Sequence, residues 1–220
     1  MKNIGKGKIL TLEEVIPIKD HQTISKKLVD LSDLHILLMS LGQDTSISPE
    51  FYAEERIYLV LKGDLKFNNE KLTGKDLILF EKDKLFDIGA REKSIFLEIA
   101  INLKEEEMKN IEKGKKIKLV DYLDYVDGGI ANIDLVAKEG VRLVLMAFDA
   151  GEGLKPHKAP GDALVLALEG KAKLLVGDKE IEIESGEQIV FPANVIHNVT
   201  AITRFKMMFI LSIDTVSYTH

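Results

Sequence analysis

Two stretches of this chain repeat each other, and that repeat limits the fold more than any other feature. Sliding the sequence by 107 residues lays the first half on the second without a gap as far as residue 63. Lys6-Gly7-Lys8 then falls on Lys113-Gly114-Lys115, Leu28-Val29 on Leu135-Val136, and Leu38-Met39 on Leu145-Met146. Pro49 falls on Pro156, and Leu59, Leu61 and Gly63 on Leu166, Leu168 and Gly170. Beyond that point an offset of 112 sets Gly74 on Gly186 and Ile101 on Ile213, which implies a hairpin five residues longer in the second copy. The copies share one order of breaks, turns and apolar runs. Two domains from an internal duplication are therefore expected, over 1–107 and 108–220.

Each copy reads as short apolar runs separated by Gly, Asp and Asn, the pattern of strands and turns, so the fold class is all-β. VGDKE, residues 176–180, reads as a tight hairpin turn. Several runs, Leu164 to Leu168 among them, are apolar at both parities, which means that both faces of those strands are covered. One face would line a barrel and the other would meet the sister domain, sheet on sheet. The main helical candidate is the charged stretch 103–116, expected to be a solvated connector.

With 45% hydrophobic residues in 220, the chain can build a core without staples. It has no cysteine, which excludes disulfides, thiolate nucleophiles and cysteine metal sites and agrees with a reducing cytoplasm. No apolar run reaches 18 residues and no apolar stretch follows the first lysines, so neither a membrane span nor a signal peptide is expected. A net charge of −6 with scattered lysines argues against a nucleic-acid partner. A cytoplasmic protein acting on a small molecule remains, and the sequence leaves a further homodimer open.

Candidate chemistry sits in two answering segments, PHKAPGDALVLALEG (156–170) and GEQIVFPANVIHNVT (186–200), each with one histidine at the edge of an apolar run: His157 and His197. These segments resemble the cupins, small double-sheet barrels of jelly-roll type. Gly151, His157 and Gly170 match the first cupin motif, with Ala159 where a second histidine would stand and Ala163 where a glutamate would. Gly186, Pro192 and His197 match the second motif, with Asn194 replacing its inner glycine. The resemblance covers most of 140–213 and reaches the first copy through the repeat. It implies two tandem cupin-type jelly-roll β-barrels.

Cupins with a full ligand set hold a divalent metal through three histidines and a carboxylate. Two of those four positions are alanines here, so the resemblance leaves His157 and His197 as ligands, with Asp162 as the third candidate. Such a set would suit Zn, Mn, Ni or Fe(II) and leave positions open for substrate; no organic cofactor is expected. Strand alternation sets Asp162 opposite in direction to Ala163, so a turn after Pro160-Gly161 would have to bring it inward. The alternative is a pair of hydrogen-bonded pocket histidines without metal. Lys158 is expected to point outward. In the first copy Glu50 answers His157, Glu55 answers Asp162, Leu85 answers His197 and Phe80 answers Pro192. Leu85 and Phe80 read as packing and the glutamates as exposed, which makes the first barrel structural. His21, His35 and His220 have no motif around them. Two functions compete: a module binding a small molecule and a divalent metal in the C-terminal barrel, or a metal-dependent dioxygenase, isomerase or lyase acting on a small oxygenated metabolite.

Overall fold

The computed structural model describes residues 1–68 and 70–214; His220 lies outside them. Strands of the first half are β1 (Ile9–Leu10), β2 (Thr23–Leu31), β3 (Leu34–Leu41), β4 (Ser46–Glu50), β5 (Glu55–Lys62), β6 (Asp64–Phe67), β7 (Glu70–Thr73), β8 (Asp76–Phe80), β9 (Phe86–Ala90) and β10 (Ser94–Ile101). Those of the second are β11 (Ile117–Lys118), β12 (Ile130–Lys138), β13 (Val141–Phe148), β14 (Asp162–Glu169), β15 (Lys171–Val176), β16 (Lys179–Glu184), β17 (Gln188–Phe191), β18 (His197–Ala201) and β19 (Phe205–Ser212). One barrel pairs the six-stranded sheet β11-β8-β5-β10-β3-β2 with the small sheet β4-β9-β6-β7. The other pairs β1-β17-β14-β19-β13-β12 with β16-β15-β18. Among the described residues no helix is long and apolar enough to cross a membrane.

The stretch 103–116 is not a helix beyond one 3₁₀ turn at Glu105–Glu107. Its backbone groups are spent on the sheets instead. The Lys109 N–H donates to the Leu135 carbonyl (3.0 Å) and the Gly114 N–H to the Leu79 carbonyl (2.7 Å). Leu103 and Ile111 are buried in the core between the barrels. Two anchored apolar residues and these edge bonds outweigh the helix propensity of its Glu and Lys.

Strand register runs alike in the two halves and moves the second part of the repeat by one residue. Ile57 pairs with Leu79 and Leu164 with Val190; Leu38 pairs with Leu97 and Leu145 with Met208. The first members of these pairs are 107 apart, but the second members are 111 apart, not 112. Matching glycine to glycine caused the slip. The position equivalent to Gly186 (φ 95°) is Lys75, which takes the left-handed conformation itself (φ 70°). The hairpin after β15 is as expected: Val176 pairs with Lys179 around Gly177-Asp178, with Gly177 at φ 65°.

Neither barrel is contiguous in sequence, so a division at residue 107 does not separate them. The leader strand β1 joins the second barrel, Ile9 opposite Ile189, and β11 joins the first, Ile117 opposite Leu77. Each crossing leader carries a lysine to a carboxylate at the start of a central strand. Lys6 Nζ lies 2.6 Å from Asp162 Oδ2, which the Met1 amino group also contacts, and Lys113 Nζ lies 3.8 Å from Glu55 Oε1. Asp162 is 8% exposed and Glu55 1%, so Glu55 is not the solvated residue its charge suggests. Glu55 also accepts the Leu103 N–H (3.1 Å), and Asp162 the Ala193 N–H (3.0 Å). Burial alone would raise the Asp162 pKa, but Lys6, the Met1 amino group and the Ala193 N–H hold it below the ordinary carboxylate value.

Alternation along the central strands serves two cores at once. On β14, Leu164, Leu166 and Leu168 enter the core between the two large sheets, whereas Ala163, Val165 and Ala167 face the barrel interior. On β5, Ile57 and Leu59 enter the shared core while Tyr58 and Val60 face the first barrel's interior. Apolar residues at both parities are thus explained by an interface of sheet on sheet.

Two outcomes follow for denaturant unfolding. Leu164→Ala should cost about 2–5 kcal/mol, the range for a leucine cavity in a tight core; a cost near zero would contradict its place in the shared core. Because the folded pKa of Asp162 is depressed, its contribution is complete above its unfolded value of about 3.9 and is lost as pH falls through the folded value. Asp162→Asn should therefore be less stable than wild type by about 1–3 kcal/mol at pH 7. That gap should shrink at pH 3, and a pH-independent gap would refute the latch.

Candidate functional site

His157 precedes β14 and His197 opens β18, and the two backbones meet as a single antiparallel bridge. The His157 N–H donates to the His197 carbonyl (3.0 Å) and the His197 N–H to the His157 carbonyl (2.8 Å). Directly opposed residues put their side chains on one face, and the ring centroids lie 4.6 Å apart at 58°. Each ring is held by a carbonyl two residues back: Nδ1 of His157 at 2.9 Å from Lys155 O, and Nδ1 of His197 at 2.9 Å from Val195 O. A carbonyl only accepts, so each Nδ1 is the donor and, in the neutral ring, each Nε2 carries the lone pair. This is the orientation that metal-binding or hydrogen-bond-accepting imidazoles require.

The two rings differ in environment. His197 is 4% exposed and stacks on Phe191 (4.4 Å, 22°), whereas His157 is open to solvent. Burial pushes the His197 pKa below its ordinary value; the Val195 carbonyl opposes this, and nearby His157 adds to it. Both rings line a cavity of about 240 Å³ inside the second barrel, with Ala159, Ala163 and Val165 in its wall. Larger grooves of about 500 and 460 Å³ lie on the surface where segments of the two halves meet, not inside a barrel.

Asp162 does not join the histidines. Alternation holds at the start of β14: Ala163 lines the cavity, and Asp162 turns the other way to Lys6 and Met1. Among the described residues no three His, Asp or Glu side chains gather as a metal-ligand set. Lys158 is exposed and stands at the cavity mouth. Arg142, unremarked in the sequence, also lines the mouth. Parity could have found it, because on β13 it shares a face with Val144, Met146 and Phe148 of the barrel interior. His35 is a half-buried partner of Asp30 (Nδ1 to Oδ1, 3.0 Å) and His21 a surface turn residue at φ 57°.

Aromatic rings occupy the interior of the first barrel. Glu50 pairs with Phe86 where the second barrel pairs His157 with His197. The counterpart of His197 is therefore Phe86, and Leu85, expected to pack, is 51% exposed. Tyr58, Phe67 and Phe96 take the places of Val165, Leu174 and Met207. Tyr58 lies 4.7 Å from Phe67, 5.8 Å from Phe86 and 6.0 Å from Phe96, centroid to centroid. Phe80 does pack, stacked on Phe86 at 4.4 Å. In the places of Ala159 and Ala163 stand Tyr52 and Arg56, the guanidinium 4.3 Å above the ring.

Residues 144–213, which span the site, match the Cupin domain family. Among solved structures, a Cupin 2 conserved barrel domain protein from Leptotrichia buccalis is 30% identical, with 95% of this chain and 98% of that one covered and a TM-score of 0.83. A putative glyoxylate-induced protein from Pseudomonas aeruginosa shares the fold at 12% identity, covering 96% of this chain and 91% of that one, TM-score 0.66. A salicylate 1,2-dioxygenase from Pseudaminobacter salicylatoxidans shares it at 11% identity, covering 86% and 76%, TM-score 0.61. No curated protein matches the chain. Identity at this level over nearly the whole Leptotrichia protein, together with the domain match across the site, establishes that the chain belongs to the cupin family.

Proposed function

We propose that the second barrel is a small-molecule binding site whose polar end is the His157–His197 pair, and that this pair can also take a divalent transition metal. One observation carries the reading: where the first barrel packs aromatic rings, the second has a cavity beside two imidazoles fixed by their Nδ1 bonds. For a metal, the donor set is two Nε2 lone pairs. Ala159 and Ala163 contribute no donor, and Asp162 is engaged elsewhere. Two imidazoles suit Zn, Ni, Mn or Fe(II) at modest affinity, with the remaining positions left to water or ligand. A metal bound there would supply Lewis acidity toward a ligand oxygen. His157 and His197 would hold it, and the apolar wall would exclude water from the ligand's body. Among the described residues the cavity lining holds no carboxylate or tyrosine to serve as a second acid or base, which favours binding over turnover.

Elemental analysis after loading with each of the four metals tests the metal half. Wild type should retain close to one equivalent at saturation, and His157→Ala and His197→Ala should retain none; equal metal in a variant would overturn it. Retention should fall on acidification, as protons compete for Nε2.

The depressed His197 pKa gives a separate check. By NMR titration of the metal-free protein, the His197 ring should show a midpoint below about 6.5, the ordinary value. Unfolding then binds a proton between the two values, so stability lost on acidification begins below about pH 6.5. A midpoint above that value would contradict a buried neutral imidazole.

A further inference from the structure

Resting on the reading of this cavity as a binding site, we infer that its ligand is a small organic carboxylate with a compact apolar body. Three features of the cavity converge on that class.

The first is charge. The chain carries a net charge of −6, with 36 acidic residues against 30 basic ones, yet the charged groups lining this cavity among the described residues are Arg142 and Lys158, with no Asp or Glu. A cleft lined by one sign of charge concentrates ligands of the opposite sign. An ammonium group at the Arg142 and Lys158 end would meet like charge.

The second is where the donors stand. Arg142 Nε and Nη2 both donate to Asp134 Oδ1, at 3.1 and 2.6 Å, which fixes the guanidinium at the mouth and leaves Nη1 without a partner among the described residues. Asp134 itself does not line the cavity. Lys158 lines the same cavity, and among the described residues no hydrogen bond or ion pair holds its ammonium. Two cationic donors at one end suit a single carboxylate. A phosphate dianion would need more donors than the apolar wall can supply.

The third is the wall and its size. Val165, Val199, Met207, Phe209 and Leu211 line the interior beyond the histidines. A volume of about 240 Å³ equals that of roughly eight water molecules at ~30 Å³ each. The match is a ligand of about eight non-hydrogen atoms, its carboxylate toward Arg142 and Lys158 and its body among the aliphatic side chains.

The test uses the full chain with a chelator present, so that no metal contributes, and matched probes: hexanoate, 1-hexanol and hexylammonium. A second pair, cyclohexanecarboxylate and cyclohexylmethanol, guards against a mismatch of shape. Binding is read from NMR shifts of the His157 and His197 rings and the Ala163 methyl. At least one carboxylate should bind about five- to tenfold more tightly than its alcohol, the usual worth of a partly exposed charge-assisted contact. Hexylammonium should bind most weakly of the linear probes. Arg142→Gln, and separately Lys158→Gln, should erase that preference by weakening the carboxylate far more than the alcohol. If alcohols and carboxylates bind these sites equally, or the preference survives both substitutions, the inference fails while the binding-site reading stands. If no probe shifts these signals, the binding-site reading itself fails and takes the inference with it.

Discussion

Burial of one large sheet against the other is the constraint on which the rest of the structure depends. Leu164, Leu166, Ile57, Leu59 and their neighbours form a core to which both barrels contribute a face, so neither sheet is satisfied alone. That requirement demands apolar residues on both sides of the central strands. It also brings the edges of the two sheets close enough for each to receive the other half's leader strand. The lysine latches complete the exchange: Lys6 reaches Asp162 and Lys113 reaches Glu55. These contacts join segments far apart in sequence, so in this architecture a barrel and a half of the chain are different things.

A symmetric scaffold of this kind is free to specialise one interior. In the first barrel Tyr58, Phe67, Phe86 and Phe96 pack ring against ring, a large hydrophobic contribution. In the second, aliphatic residues and a histidine hold the same positions, and Ala159 and Ala163 keep the end open. The site is shaped as much by these small residues as by its imidazoles. Asp162 belongs to the site only indirectly. It accepts the Ala193 N–H and fixes the start of β14, and so ties the two segments that carry His157 and His197 to the leader of the other half.

Much of this was legible in the sequence, for physical reasons. Strand periodicity, shared breaks and two histidines beside apolar runs are local signals, and they located the barrels and the cavity. What sequence could not supply was register and crossing. Gly74 was matched to Gly186 although Lys75 is the residue with positive φ, and that slip by one turned Phe86 into Leu85 and misplaced the packing residue. Glu55 and Asp162 looked like a surface acid and a metal ligand because their partners arrive from the other half. The repeated Lys-Gly-Lys held the clue, but charge pairing becomes readable only once the leaders are known to cross. The connector's acidic and basic residues imitate a helix, while Leu103 and Ile111, which fix its path, are two isolated apolar residues among charges.

Residue-resolved denaturant unfolding, followed by the loss of folded amide signals in NMR spectra, measures directly whether the barrels form one unit. The shared core and exchanged leaders predict that amides of β5 and β10 lose their folded signals at the same midpoint as those of β14 and β19, with His197 reporting the same transition. Two separated midpoints, one for each barrel, would contradict the account.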